Sequence, residues 1–240
     1  MNTPGNTKIK YIGHSTFLIE LESKKKLIID PWLNDNPSTN ETPDSIGDVD
    51  FVLITHGHFD HVGDSIEILK KNKSAIAISN FEIGQWLGKK GLENLSPMSH
   101  GGSQYFDDFT VTMVNAIHGS GISDTESENL VYGGIASGLV IKLSNNFCIY
   151  HAGDTSVFGD MEIISELYKP DLCMIPIGDH FTMGVDEALY ATKLLKVNDY
   201  IPIHYGTFPV LTGNPQQFKE KVESSCDSKV HILKPGDEYK

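Results

Sequence analysis

Phe51-Val52-Leu53-Ile54-Thr55-His56-Gly57-His58-Phe59-Asp60-His61-Val62-Gly63 is the stretch on which the reading of this chain turns. Its first five residues are apolar or β-branched and read as a strand buried on both faces. The strand stops at Thr-His-Gly, where Gly57 permits a tight turn. Three imidazoles and a carboxylate then follow between His56 and His61. In extended or loosely turned chain, residues two apart project to the same side. His56, His58 and Asp60 can therefore converge on one point while His61 reaches a neighbouring one. Such residues are poor helix formers and costly core material, so packing gives no reason for the cluster. Metal ligation gives a direct one.

Working outward, three more residues of the same kind occupy the exits of expected strands. His118 follows Met113-Val114-Asn115-Ala116-Ile117, Asp154 follows Ile149-Tyr150-His151-Ala152-Gly153, and His204 follows Tyr200-Ile201-Pro202-Ile203. Ligands of sheet proteins gather beyond strand ends, so this placement is a geometric reason independent of any motif. The total of seven donors is too many for one tetrahedral ion and suits two ions that share a carboxylate and a hydroxide.

The rest of the pattern supports an α/β fold. Residues 8–30 read as an antiparallel meander, 33–48 as a loop and 62–71 as a helix. A strand at 75–79 and a helix at 81–89 come next, with Gly91 as punctuation. Strands are expected at 103–117, with 109–117 as one long run, and at 139–143 and 147–151. The stretch 120–138 is polar, glycine-rich and too long for a simple hairpin, a length often tied to function. Helices at 161–168, 185–196 and 215–224 then alternate with strands at 172–177, 200–204 and 229–233. Both halves follow one plan, strands first and strand–helix units after. This predicts a four-layer αββα sandwich of two mixed β-sheets with helices on both outer faces, in a single domain over residues 1–240.

Composition excludes several classes of function. A net charge of -13 argues against nucleic-acid binding, because phosphate contacts need clustered Lys and Arg. Lys24-Lys25-Lys26 and Lys70-Lys71-Asn72-Lys73 read as a solvated turn and a helix C-terminus. No apolar stretch approaches the roughly 18–20 residues of a membrane span. Residues 1–8 lack the apolar core of a signal peptide, so a cytoplasmic protein is expected. Cys148, Cys173 and Cys226 show neither pairing nor C-x-x-C spacing, and the first two read as buried thiols. A small-molecule substrate is the expected partner, and a homo-oligomer is compatible with everything above.

Thr55-His56-Gly57-His58-Phe59-Asp60-His61 resembles the H-x-H-x-D-H signature of the metallo-β-lactamase superfamily, and His118, Asp154 and His204 match its later ligand positions in order. Gly13-His14-Ser15-Thr16-Phe17-Leu18, Asp30-Pro31-Trp32, Phe181-Thr182-Met183-Gly184 and Pro202-Ile203-His204-Tyr205-Gly206-Thr207 resemble more narrowly the predicted metal-dependent hydrolases related to ascorbate-6-phosphate lactonase. The resemblance implies that His56, His58 and His118 hold one metal, that Asp60, His61 and His204 hold a second, and that Asp154 bridges them. It implies a metal-dependent hydrolase whose bridging hydroxide cleaves a small ester, lactone or phosphoester, with Asp60 and Asp154 as the catalytic carboxylates. The donor set lacks cysteine, which suits Zn²⁺ and admits Mn²⁺, Fe²⁺ or Ni²⁺. Alternatives are a phosphodiesterase acting on a nucleotide or lipid headgroup and a non-catalytic metal or ligand sensor.

Three further residues are candidates for substrate contact. His14 stands in a turn between strands, where a hydrogen-bonded turn histidine is the plainer reading. His180 follows a strand in Pro176-Ile177-Gly178-Asp179-His180 and suits an oxyanion contact. Tyr205, beside His204, can donate to an oxyanion or orient its neighbour.

Overall fold

The 51–55 run forms the strand Phe51–Leu53, shorter than expected. It ends early because the Thr55 amide donates to the Asp30 side chain at 2.8 Å rather than to a neighbouring strand. The structure, a computed structural model, describes residues 3–127 and 129–239. Met1 and Asn2 of the polar N-terminal stretch, Glu128 of the 120–138 stretch, and Lys240 lie outside the described residues.

The chain folds as two compact units. One comprises Asn6–His100, Gly119–Ala136 and the residues from Lys234 onward. The other comprises the N-terminal residues up to Gly5, Gly101–His118 and Ser137–Leu233. We call them the first and second unit.

The first unit holds a seven-stranded mixed sheet. Lys8–Gly13, Thr16–Glu20 and Lys26–Ile29 form the expected antiparallel meander. Phe51–Leu53, Ile76–Asn80 and Leu95–Met98 then continue it in parallel. Ile29 pairs with Leu53 and Leu53 with Ile78, so these apolar residues share one register. Two strands of this sheet escaped the sequence reading. Leu95–Met98 contains Pro97, which a strand tolerates at a sheet edge, the position it occupies. Glu238–Tyr239 pairs with Lys8–Gly13 at the opposite edge and is too short to carry a pattern.

The helix expected at 62–71 is split into Phe59–Val62 and Ser65–Lys71. The chain from Pro31 to Asn34 docks into the break. Asp64 donates its amide to the Pro31 carbonyl at 2.7 Å, and its carboxylate accepts from the Leu33 and Asn34 amides at 2.6 and 3.0 Å. A Cβ on Gly63 would stand 2.7 Å from that Pro31 carbonyl. The helix Phe81–Lys89 matches expectation and is capped by Asn80, whose side chain accepts from the Ile83 amide at 2.9 Å. Ile28, Val52, Ile54, Ile68, Ile83 and Leu87 form part of this unit's buried core. Within the 120–138 stretch, Gly121–Ile122 and Val131–Tyr132 pair antiparallel.

The second unit repeats the plan. Ser103–Tyr105, Phe109–Asn115, Ser137–Leu143 and Cys148–His151 are antiparallel. Leu172–Pro176, Asp199–Ile203 and Lys229–Val230 extend the sheet in parallel. The long strand ends at Asn115 rather than Ile117, because the Ile117 amide turns to donate to Thr155 Oγ1 at 3.0 Å. The helices Met161–Tyr168, Val185–Leu195 and Pro215–Ser225 lie close to their expected bounds. Lys169 and Lys196 end the first two in the left-handed conformation; Asn214 caps the third, with Pro215 in its first turn. Tyr150, Ile175, Tyr200, Phe218 and Val222 are among the residues of this unit's core. The two mixed sheets and their helices are the elements that the sequence predicted. Among the described residues, no helix is long and apolar enough to cross a membrane.

Candidate metal centre

In the first unit, the donor residues leave the strand Phe51–Leu53 and enter the short turn Phe59–Val62. Asp30, at the end of the neighbouring strand, organises them. It is fully buried and left-handed, with φ of 46°. One carboxylate oxygen accepts from the Thr55 amide at 2.8 Å. The other accepts from Thr55 Oγ1 at 2.7 Å and faces His61 Nδ1 at 2.8 Å. An ionised carboxylate only accepts, so His61 carries its proton on Nδ1 and presents Nε2 as a lone pair. The single hydroxyl proton of Thr55 is directed at Asp30. The contact between Thr55 Oγ1 and His56 Nδ1, at 3.0 Å, must therefore be donated by the imidazole. His56 also presents Nε2 as a lone pair. One buried carboxylate thus sets the tautomer of two histidines.

His56 Nε2 stands 3.1 Å from His58 Nδ1. Two imidazole nitrogens on one tetrahedral zinc, each about 2.0–2.1 Å from it, lie roughly 3.3 Å apart, so the pair has the spacing of shared ligation. Asp60 is held by His14, with His14 Nε2 and Asp60 Oδ2 3.1 Å apart. Donor atoms of His14, Asp60 and His61 lie within 4.8 Å of one another. His14 is fully buried in a left-handed turn with φ of 57°. Its ring meets the edge of Trp32, and Trp32 in turn meets the half-exposed Phe59. Burying a carboxylate beside several imidazoles is costly unless the group is paired or bound to a cation.

In the second unit, the residues come from three strand ends, and Asp154 is their hub. Asp154 Oδ2 lies 3.0 Å from His204 Nε2 and 3.5 Å from His118 Nε2. Asp154 and His204 are buried, whereas the His118 side chain is 15% exposed. His204 is also left-handed, with φ of 55°, and the chain packs tightly beside it. A Cβ on Gly178 would collide with the His204 carbonyl oxygen.

The remaining candidates are placed differently. His180 is exposed and left-handed, as is Asp179 before it, and the His180 ring stands edge-on to Phe181. Consecutive non-glycine residues in this conformation store strain, which tends to accumulate at functional loops. Tyr205 is half-buried against the second unit's core, and burial raises the pKa of its phenol, so that group remains a proton donor. Cys148 and Cys173 are buried as expected. Desolvation pushes the Cys148 thiol up to about 12 and Cys173 well above its usual range, so neither offers a thiolate at neutral pH. The donor set is therefore imidazole and carboxylate, with two histidines fixed in ligand-ready tautomers. It fits a borderline divalent ion.

Asp30 and Thr55 were not among the candidate site residues. Asp30 reads in sequence as the end of a meander before Pro31, and only its burial and its three contacts show its role.

The chain is similar to proteins named as metal-dependent hydrolases. A family model described as "Beta-lactamase superfamily domain" matches residues 25–205. A UPF0173 metal-dependent hydrolase of Koribacter versatilis (strain Ellin345) is 47% identical over 232 residues, covering 97% of each chain. Another, of Rubrobacter xylanophilus, is 43% identical over 98% of this chain and 96% of its own. Among solved structures, Igni18, a metallo hydrolase from the hyperthermophilic archaeon Ignicoccus hospitalis, is 36% identical. It matches with a TM-score of 0.86 over 97% of both chains.

Proposed function

The chain belongs to the metallo-β-lactamase superfamily, in its UPF0173 group of metal-dependent hydrolases, and from that premise we propose that it cleaves a small ester, lactone or phosphoester at a dinuclear site. In this reading both units act as one hydrolase domain. His56, His58 and His118 hold one ion, Asp60, His61 and His204 hold the other, and Asp154 bridges. Zn²⁺ is the metal that imidazole and carboxylate donors suit best. Two such ions, when bound, lower the pKa of water toward ~7 and polarise a substrate oxygen.

The observation that carries the reading is the Asp30 relay. It leaves the Nε2 lone pairs of His56 and His61 available to a metal and stabilises positive charge on both rings, as carboxylate–histidine pairs do around catalytic zinc. Asp60, which His14 contacts at 3.1 Å, is the group we assign to pass a proton to the leaving group. His180 and the Tyr205 phenol are the donors assigned to substrate oxygen, and His14 is assigned to substrate contact through Asp60.

A panel of lactones, thioesters and bis-p-nitrophenyl phosphate, assayed with Zn²⁺ and Mn²⁺, tests the reading. Turnover of an ester or phosphoester is expected, and Asp154→Asn reduces it to background. Inactivity across the whole panel would contradict it and favour a sensor. Activity confined to the phosphodiester would favour the phosphodiesterase alternative.

A further inference from the structure

The turn that carries His56 and His58 rests on one side chain from a distant part of the sequence. The buried Ser120 hydroxyl accepts from the Gly57 amide at 3.0 Å and donates to the Gly133 carbonyl at 2.7 Å. The roles are unambiguous, because an amide can only donate and a carbonyl can only accept. Gly57 lies between the two histidines, and Gly133 closes the hairpin formed by Gly121–Ile122 and Val131–Tyr132.

No side chain could be placed between these segments. A Cβ on Gly57 would stand 2.6 Å from Ile122 Cγ1 and 2.7 Å from the Ser120 carbonyl oxygen. A Cβ on Gly133 would collide with the same oxygen and approach Ile122 Cγ1 to 2.9 Å, and one on Gly119 would reach 3.4 Å from His58 Nε2. The hairpin base is fixed from its other side as well. The Asn80 amide group, at the start of helix Phe81–Lys89, donates to the carbonyls of Gly133 and Ile135 at 2.7 and 3.1 Å. From this rigid base the hairpin exposes Leu130, Tyr132 and Ile135.

We propose that Ser120 is a positioning residue of the metal site: its hydroxyl sets the His56-Gly57-His58 turn against the 121–135 hairpin and links ligand geometry to that hairpin, whose exposed Leu130, Tyr132 and Ile135 are apolar surface for a substrate. This rests on the dinuclear reading above. Outer-shell partners of metal ligands typically contribute 10–100-fold in metal affinity, and Ser120 acts at that level through the backbone.

The test compares wild-type protein, Ser120→Ala and Ser120→Thr by chelator competition for Zn²⁺, with circular dichroism and thermal melting to establish folding. Ser120→Ala is expected to fold and to lose affinity for one of two ions by roughly 10-fold or more, with Ser120→Thr, which keeps a hydroxyl, recovering much of the loss. KM for an active substrate is expected to rise with Ser120→Ala, because the hairpin base loses the same bond. Should Ser120→Ala fail to fold, Ser120→Cys, which keeps the volume and weakens both bonds, is measured in its place. A folded Ser120→Ala or Ser120→Cys with wild-type affinity for both ions overturns the proposal. Wild-type protein that binds no metal overturns the dinuclear reading itself, so the two failures are distinct.

Discussion

The two units prepare their candidate ligands by different means. In the first, His56, His58, Asp60 and His61 come from one short piece of chain, and a shared carboxylate relay through Asp30 and Thr55 fixes two of the rings. In the second, His118, Asp154 and His204 come from three strand ends, and Asp154 is the common contact of both histidines. Local chain geometry with a buried relay sets the first group. Sheet topology sets the second, since parallel strands carry Asp154 and His204 to their carboxyl ends. The first group is therefore sensitive to residues outside the donor set that orient its rings, whereas the second is sensitive to its hub.

The largest effect that can break this contrast is at Asp30. Asp30→Asn keeps the shape but removes the charge and offers a donor where two are already directed, so zinc affinity is expected to fall by roughly 10–100-fold in a chelator titration. Thr55→Val removes the link to His56 and the hydroxyl's bond to Asp30 but leaves the contact of Asp30 with His61, and is expected to give a smaller loss at one ion. If both variants bound zinc as the wild type does, the relay would have no role in ligand orientation and the contrast between the units would fail.

The smallest effect concerns the outer end of the first unit's hairpin. Asp124 accepts from Lys90 and Trp86, each at 2.7 Å. The Lys90 hydrogen bond, followed by that of Trp86, holds its carboxyl down at about 2. A carboxyl lowered on folding adds stability that is complete above its unfolded pKa of about 3.9 and is lost as pH falls through its folded value. Acid-protease cleavage within 121–135 should therefore rise as pH is lowered from about 4 toward about 2. Asp124→Asn should be cleaved alike at both ends of that range. A wild-type hairpin equally resistant throughout would show that this tether does not hold it.

Much of the fold was legible because hydrophobic runs and helix punctuation were strong. The helix at 81–89 has an Asn cap before it and glycine after it, and the repeated order of strands and strand–helix units could be read directly. What escaped depended on partners remote in sequence. Leu95–Met98 carries a proline that reads as a breaker until its edge position is known. Glu238–Tyr239 is a strand only because Lys8–Gly13 accepts it. The break at Gly63 follows from docking of the Pro31–Asn34 segment, to which no periodicity points.

The site divides in the same way. Crowded imidazoles and a carboxylate at a strand end are visible as a cluster, and so are single donors at the ends of other strands. Asp30, Thr55 and Ser120 are ordinary turn and strand-end residues in sequence. Their roles depend on hydrogen bonds that span 25 residues for Asp30 to Thr55 and 63 residues for Ser120 to Gly57.

The proposed hydrolase needs two ions per chain. Elemental analysis of the purified chain after zinc reconstitution and removal of loosely bound metal tests it most directly. Close to two ions per chain are expected, falling toward one or fewer in Asp154→Asn. A wild-type chain that retains no metal, or an Asp154→Asn chain that retains two as tightly as wild type, would contradict it.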